Sequence, residues 1–373
     1  MNDESRTALA VLPDEHATLL ALHPFAHIDA ARIYHPLTGV ALSPGTPGFA
    51  EISRLASGLS AVEDLAPEVR DRLVAERWLL PTGQDPSREF RLRIVSLEAH
   101  TVCNQACYFC PVSIAPREDY FMPTPLYERI VGELAAFRDT IEAVFMINYN
   151  EPTLDKRFVE QVRTIRDAGL PPAVLTNGSG LTPDRIDALV EMGGLRFLSI
   201  NLSTLDRERY KAERGGDQLP LVLKNLEYAK DKAVANKMDV IVLGTGDENH
   251  QRDFAEIGER FAGSRFEVKS FQVMDRAGYL QIGLGVPRDG KRLRGCDNLG
   301  SRPIEHLHIT PRAQVVLCCE DYDEFHIVGD LAETSVLDVL RGPELAKMRR
   351  MIYGLEEASA NFICNKCTFA RRA

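Results

Sequence analysis

Residues 98–111 read EAHTVCNQACYFCP, and this stretch places Cys103, Cys107 and Cys110 within eight residues. An alternating apolar run, Arg91–Leu97, precedes it and predicts a β-strand. Thiolates are soft ligands, and cysteines this close together in a loop are typical of zinc and iron–sulfur sites. Three thiolates on a cubane of four irons leave one iron open to a small molecule. The stretch therefore predicts a catalytic metal site in the loop that follows the strand.

Two other interpretations of the three thiols are open at this point. A zinc site usually has a fourth ligand close by, whereas the next cysteine after Cys110 is Cys296. A disulfide within the trio leaves an odd thiol, and clustered cysteines in a large chain favour metal sites over structural disulfides. The eight cysteines are at positions 103, 107, 110, 296, 318, 319, 364 and 367.

The spacing Cys103-x3-Cys107-x2-Cys110 resembles the signature of the radical S-adenosylmethionine (radical SAM) superfamily. The resemblance implies a 4Fe-4S cluster whose open iron chelates the amino and carboxylate groups of S-adenosylmethionine (SAM). It also implies that an electron from this cluster cleaves SAM and yields a 5′-deoxyadenosyl radical. Phe109, the aromatic residue before the third cysteine, would lie near the adenine.

The composition is that of an ordinary globular protein, with 45% hydrophobic and 26% charged residues among 373, and this length predicts two or three domains. The net charge of −10 argues against a nucleic-acid substrate, because nucleic-acid binders usually carry a basic surface. Residues 1–16 lack a signal-peptide pattern, and no apolar run approaches the ~20 residues of a membrane span. We expect a cytoplasmic protein without a membrane partner.

Residues 1–90 contain no cysteine and form a predicted N-terminal domain. Two short extended candidates, 32–36 and 39–43, predict a hairpin, and three short helices follow, from Phe49, near Ala61 and over 68–80. This order resembles a small winged-helix domain. In radical SAM enzymes that modify ribosomal peptides, such a domain often binds the leader sequence. The alternative is a cap that only packs on the catalytic domain.

Residues 91–280 alternate between strand and helix patterns, which is typical of a parallel α/β arrangement. Six β/α units are predicted, including a long helical stretch over Leu219–Asn236. This number resembles the partial (βα)6 barrel of radical SAM enzymes. Binding sites in such folds gather at the carboxyl ends of the strands.

Polar residues follow three of these strands, where the family binds SAM. Asn150-Glu151-Pro152 stands where the family usually has Gly-Glu-Pro, and the Glu151 carboxylate could accept a hydrogen bond from the SAM ammonium. Ordinary turns are the alternative. The candidate SAM contacts are Phe109, Asn150, Glu151, Thr176, Asn177, Ser199, Asn201 and Ser203. Arg276, after the sixth strand, is a candidate for a carboxylate contact, or else a solvated arginine.

Residues 281–373 carry the other five cysteines, and they resemble the SPASM or twitch domain that holds auxiliary clusters in radical SAM enzymes. Leu307–Thr310 and Gln314–Leu317 predict a hairpin, in which Ala313 stands at the usual glycine position. The resemblance implies that one auxiliary 4Fe-4S cluster is bound by Cys296, Cys318, Cys364 and Cys367; zinc is the alternative metal. Cys319 could replace Cys318, act near the substrate, or be a buried small residue.

Together these patterns predict a radical SAM enzyme with an auxiliary cluster, in three segments: 1–90, 91–280 and 281–373. The N-terminal domain favours a peptide substrate and an oxidation such as a crosslink or dehydrogenation. The single auxiliary cluster also resembles that of an aminocyclitol dehydrogenase, which indicates a small sugar-like substrate and either dehydrogenation or epimerisation. A non-catalytic iron–sulfur or zinc protein is the alternative of another class. Cys319 and Arg276 are the catalytic candidates, and flavodoxin or ferredoxin is the expected electron donor.

Overall fold

The computed structural model describes residues 19–282 and 292–373. The N-terminal stretch used for the signal-peptide prediction and residues 283–291 of the third predicted segment lie outside the described residues. The chain divides into two units, of which the first ends at Pro86 and the second begins at Ser87. In the part of the chain that is described, no helix has both the length and the apolar character of a membrane span.

The first unit combines short strands with two α-helices around an apolar core. Its elements are β1 (Leu20–Leu22), β2 (His27–Ile28), β3 (Ile33–Tyr34), β4 (Ala41–Leu42), α1 (Phe49–Ala56), α2 (Pro67–Ala75) and β5 (Leu79–Pro81). β2, β3 and β4 form an antiparallel sheet, and β1 pairs with β5. The core contains Ile33, Phe49, Ile52, Leu73, Trp78 and Leu79.

The predicted hairpin of this unit is present as β3 and β4. The two helices predicted after Phe49 differ from the structure. The predicted helix over 68–80 ends at Ala75. The chain turns at Arg77, whose φ is 68°, and then pairs with β1, because Trp78 and Leu79 are buried in the core from an extended backbone. The helix predicted near Ala61 is a single 3₁₀ turn, Val62–Asp64.

The second unit begins with the predicted alternation of strands and helices. The strands are β6 (Ile94–Leu97), β7 (Ala143–Phe145), β8 (Pro172–Thr176), β9 (Leu195–Asn201), β10 (Ala235–Gly244) and β11 (Phe266–Gln272). The helices are α3 (Thr124–Leu134), α4 (Phe158–Asp167), α5 (Pro183–Glu191), α6 (Arg207–Arg214), α7 (Leu219–Ala229) and α8 (Glu248–Arg260). Each strand pairs in parallel with the next, so their carboxyl ends share one edge.

The C-terminal part adds β12 (Leu293–Cys296), α9 (Arg302–Glu305), β13 (His306–Ile309), β14 (Gln314–Val316), β15 (Ile327–Asp330), α10 (Val336–Leu340), α11 (Pro343–Ile352) and β16 (Ala370–Arg372). The predicted hairpin is β13 and β14. β13 also pairs in parallel with β6, so the described residues form one sheet of order β11-β10-β9-β8-β7-β6-β13-β14-β15. The sheet therefore runs continuously from the β/α units into the cysteine-rich part.

Three local features differ from the sequence pattern. The helix predicted over Leu219–Asn236 ends at Ala229, because the apolar residues from Ala235 onward form the start of β10. α6 was not predicted, since only Tyr210 and Arg214 of its eight residues are buried. Ala313 adopts a φ of 65°, so the hairpin keeps a left-handed turn at the usual glycine position although alanine pays a steric cost there.

Candidate active site

A cavity of about 420 Å³ lies at the carboxyl ends of the parallel strands. The cysteine loop after β6 and the ends of β7, β8 and β9 contribute polar residues to it. Inward-facing apolar residues of the strands form its floor, among them Ile94, Phe145, Leu175 and Ile241. Of the residues predicted from sequence, it brings together Cys103, Cys107, Cys110, Phe109, Asn150, Glu151, Thr176, Asn177, Ser199, Asn201, Arg276 and Cys319.

The cysteine loop is held by backbone hydrogen bonds to the end of α6. The amide of Ala106 donates to the Arg214 carbonyl at 2.8 Å, and the amide of Tyr108 donates to the Glu213 carbonyl at 3.0 Å. α6 ends at Gly215 with a φ of 68°, and a β-carbon there would lie 3.0 Å from that of Ala106. A glycine is therefore needed where the helix meets the loop.

The three thiols of this loop are free and face a largely buried environment. Burial raises the pKa of Cys103 to about 12 and raises the pKa values of Cys107 and Cys110. The guanidinium of Arg214, 3.7 Å from the Cys107 sulfur, acts against this rise at Cys107. Bound metal would deprotonate such thiols. The donor set, three soft thiols beside a cavity, fits a cluster with one open position.

Glu151 lies between the ends of β7 and β8 and is only 2% exposed. Its Oε1 accepts from the Thr153 amide and from the Thr153 and Thr176 hydroxyls, and its Oε2 accepts from the Asn177 amide at 2.6 Å. Burial raises its pKa, while these hydrogen bonds oppose the rise. Most of its accepting capacity is thus used by the protein, and Oε2 keeps room for one further donor.

The neighbouring predicted contacts are joined to the cysteine loop. Asn177 donates through Nδ2 to Oδ1 of Asn104, 2.9 Å away, and its own Oδ1 accepts from the Ser179 amide. Asn150 contacts the ring of His100 at 3.4 Å. These bonds fix the end of β8 against the loop that carries the thiols.

Arg214 is one of the cavity residues that the sequence analysis missed, with Gln105, Tyr149 and Arg302. Its side chain is 1% exposed, its Nη2 donates to Asn201 Oδ1 at 2.7 Å and to the Ser203 hydroxyl at 2.6 Å, and its guanidinium lies 4.9 Å from the Phe109 ring centroid. Three predicted SAM contacts therefore share one buried cation. Ser203 has a φ of 67° beyond the end of β9 and does not line the cavity. The signal available in sequence was an arginine just before Gly215-Gly216.

A second, smaller cavity of about 20 Å³ lies in the C-terminal part. Four thiols line it, those of Cys296, Cys318, Cys364 and Cys367. Burial raises the pKa values of all four. In the described residues no three His, Cys, Asp or Glu side chains are arranged around a single metal ion. Four soft donors around one enclosed space fit a cluster that has no open iron.

Cys319 and Arg276 meet at the other side of the main cavity. The Tyr149 hydroxyl donates to the Cys319 carbonyl, and the Arg276 guanidinium lies 5.9 Å from the Tyr149 ring and 3.5 Å from the Glu320 carboxylate. Arg276, Ala277 and Gly278 all have positive φ, at 53°, 54° and 86°. This left-handed turn presents Arg276 to the cavity, with one third of its side chain exposed.

Two family models match the chain: the radical SAM superfamily over residues 97–257, and the SPASM iron–sulfur cluster-binding domain over residues 296–368. The chain belongs to the radical SAM superfamily. The two domains imply a SAM-binding 4Fe-4S cluster and an auxiliary cluster, as the sequence analysis predicted.

Known proteins resemble this radical SAM protein at low identity. The S-adenosyl-L-methionine-dependent 2-deoxy-scyllo-inosamine dehydrogenase of Niallia circulans is 21% identical over 282 residues, 74% of this chain and 92% of the relative. A probable GTP 3′,8-cyclase of Pyrococcus abyssi is 32% identical over 141 residues, 38% of this chain and 44% of the relative. The crystal structure of Streptococcus suis SuiB bound to the precursor peptide SuiA has a TM-score of 0.56 at 12% identity, and the match covers 94% of both chains. This likeness supports the predicted α/β fold with its mostly parallel sheet.

Proposed function

We propose that this radical SAM protein oxidises a peptide, forming a crosslink or a double bond with loss of two hydrogen atoms during natural-product maturation. The observation that carries the proposal is the N-terminal unit, which has its own core and a three-stranded sheet. The likeness to SuiB, whose crystal structure is bound to a precursor peptide, extends over 94% of this chain, whereas the match to the inosamine dehydrogenase covers 74%. A peptide-binding role for residues 1–90 accounts for this added part.

In this proposal Cys103, Cys107 and Cys110 hold the first cluster, and SAM lies along the ends of β7, β8 and β9. When bound, the cluster and SAM supply a 5′-deoxyadenosyl radical that removes a hydrogen atom from the substrate. Glu151 Oε2 accepts from the SAM ammonium, Phe109 packs near the adenine, and Ser199 and Asn201 face the ribose. Thr176 and Asn177 hold Glu151 through hydrogen bonds, and the Ser203 hydroxyl donates to Asn201 Oδ1 at 3.2 Å. Asn150, beside Glu151, is a further proposed SAM contact.

The remaining task of the chain is to hold the substrate and exclude water. The polar residues of the cavity would be engaged by the bound cofactor, while apolar strand residues such as Ile94, Leu175 and Ile241 line the rest, and exclusion of water protects a radical from side reactions. Cys296, Cys318, Cys364 and Cys367 would hold the auxiliary cluster, which has no open iron and is suited to accept the second electron of the oxidation. We propose a flavodoxin or ferredoxin as electron donor and the cytoplasm as the location.

A small sugar-like alcohol is the second candidate substrate. The match to 2-deoxy-scyllo-inosamine dehydrogenase covers 92% of that relative. Epimerisation is a further reaction that this second candidate allows. The Cys319 thiol favours it, because the thiol lines this cavity and could return a hydrogen atom to the substrate. An epimerisation in D2O would add one deuterium to the product and would require Cys319, whereas an oxidation would remove two hydrogens without it.

The test begins with anaerobic reconstitution of the full-length protein and an assay for 5′-deoxyadenosine with SAM and a reductant. Short peptides encoded beside its gene, and separately 2-deoxy-scyllo-inosamine, are then added. The proposal predicts a loss of about 2 Da from one of the peptides, in step with 5′-deoxyadenosine. The same loss from the inosamine alone would favour the second candidate. Absence of 5′-deoxyadenosine from a fully loaded protein would exclude both.

A further inference from the structure

Arg302 is the residue that the two cavities have in common. Among the described residues, its side chain alone appears in the lining of both the main cavity and the four-thiol cavity. It stands at the start of α9, six residues after Cys296. A cation at this position borders the main cavity on one side and the four-thiol cavity on the other.

The guanidinium of Arg302 has only neutral hydrogen-bond partners in the described part of the chain. Nη2 donates to Asn298 Oδ1 at 3.1 Å, and Nη1 lies 3.3 Å from Nε2 of His308. Burial lowers the pKa of His308 well below its ordinary value, so the imidazole is neutral and accepts from the guanidinium. Nε of Arg302 is buried without a partner, and within the described residues no carboxylate forms an ion pair with this arginine.

A half-buried charge that forms no ion pair is stabilised when an anion occupies the space beside it. The four-thiol cavity supplies such an anion when loaded, because four thiolates outweigh the positive charge of the iron–sulfur core. The charge of Arg302 therefore stabilises negative charge on the sulfurs.

Glu320 provides the opposite charge at the same cavity. Its side chain is 7% exposed and lines the four-thiol cavity, and its amide lies 3.4 Å from the Cys318 sulfur. Its carboxylate lies 3.5 Å from Nη1 of Arg276, so part of its charge is compensated there. Beside the auxiliary site, Arg302 thus forms no ion pair with a described residue, whereas Glu320 is paired with Arg276.

We propose that Arg302 raises the reduction potential of the auxiliary cluster and so favours transfer of one electron from the substrate side to that cluster. The inference rests on the four-thiol site of the proposed function. Reduction adds one negative charge to the cluster, and a nearby cation stabilises the reduced state more than the oxidised state. The electron leaves the cluster later to an external acceptor of the flavodoxin or ferredoxin class. Arg302 acts only through the electrostatic effect of its charge on the cluster, and no bond to Arg302 forms or breaks.

The test is a potentiometric titration followed by electron paramagnetic resonance. It uses the full-length chain with Cys103, Cys107 and Cys110 replaced by alanine, so that the auxiliary cluster is observed alone. Arg302→Gln should make the midpoint potential of the auxiliary cluster more negative by at least 59 mV. This shift corresponds to a tenfold change in the equilibrium constant for one-electron reduction. Glu320→Gln should move the potential in the positive direction. Arg302→Lys, which keeps the charge, should move it less than Arg302→Gln.

Arg294→Gln is the matched control. Arg294 lies on β12, two residues from Cys296, but its side chain is exposed and its charge is screened by water, so the potential should not move. Two results would overturn the inference. If the cluster is retained and Arg302→Gln leaves the potential unchanged or more positive, Arg302 does not set it. If the triple-alanine protein holds no four-iron cluster, the four-thiol assignment fails and the inference fails with it.

Discussion

Cys318 and Cys319 are consecutive residues that line different cavities. Cys318 lies with Cys296, Cys364 and Cys367 around the small cavity, whereas Cys319 faces the main cavity beside Tyr149. β14 ends at Val316, and Cys318 and Cys319 begin a turn in which the Asp321 amide donates to the Cys318 carbonyl at 3.2 Å, so the two side chains leave the chain in different directions. One short segment therefore serves both the auxiliary site and the substrate side.

This arrangement predicts different iron contents for the two alanine variants. Reconstituted wild-type protein should hold about eight irons per chain, four in each cubane cluster. Cys318→Ala should lose about four, because its thiol is one of four around the auxiliary cavity, whereas Cys319→Ala should keep all of them. Iron and sulfide analysis with Mössbauer spectroscopy measures this. Equal losses in both variants would contradict the assignment.

The buried guanidinium of Arg214 should control the affinity for SAM. Lysine at this position keeps a charge but cannot donate to Asn201 and Ser203 together while it packs on Phe109. We expect Arg214→Lys to raise the dissociation constant for SAM by roughly 10- to 100-fold, the loss of a charged hydrogen bond. Equilibrium dialysis with labelled SAM is the measurement. Arg209→Lys, in the same helix but paired with Asp253, is the control and should bind normally.

Replacement of Glu151 by glutamine should lower the stability of the folded protein. The side-chain NH2 of the new glutamine would point at groups that are themselves donors. The backbone N–H of Asn177, which now donates to Glu151 Oε2, cannot act as an acceptor, so this buried donor loses its partner. We expect Glu151→Gln to lower the free energy of unfolding by about 1–3 kcal/mol. Urea unfolding followed by far-UV circular dichroism tests this. Glu160→Gln, on an exposed face of α4, should have almost no effect, and an equal loss there would refute the argument.

The N-terminal unit should lose stability in mild acid. Burial lowers the pKa of His23 to about 3 and that of His35 to about 4, from an ordinary 6.5. Above pH 6.5 both rings are neutral in the folded and unfolded states. As the pH falls from 6.5 toward 4, both histidines become protonated in the unfolded chain but stay neutral in the folded unit. The free energy of unfolding therefore falls by up to about 1.4 kcal/mol per pH unit for each histidine.

Trp78 is the only tryptophan of the chain and is fully buried, with its ring 5.2 Å from that of His35, so its fluorescence reports on this unit. Urea titrations at pH 7.5 and pH 5 should give a lower midpoint at pH 5. His23→Gln should reduce the difference between the two midpoints. A midpoint that is the same at both pH values would contradict the predicted shifts.

Much of the fold could be predicted because its signals are local. The β/α alternation from Phe90 onward and the hairpin around Ala313 are present with boundaries shifted by a few residues. The errors arose where tertiary packing overrides a local pattern: residues 235 and 236 read as helix but begin a strand, and Trp78 joins the core from an extended backbone.

The sequence by itself determined the family and its cofactors, because three thiols at fixed spacing and a later set of cysteines are enough to specify iron–sulfur chemistry. Only the tertiary structure decided which of Cys318 and Cys319 faces which cavity, and that a buried Arg214 and a half-buried Arg302 lie beside the thiols. An isolated arginine has no motif, and its role depends on which groups surround its charge. Those groups come from distant parts of the chain, and only the fold brings them together.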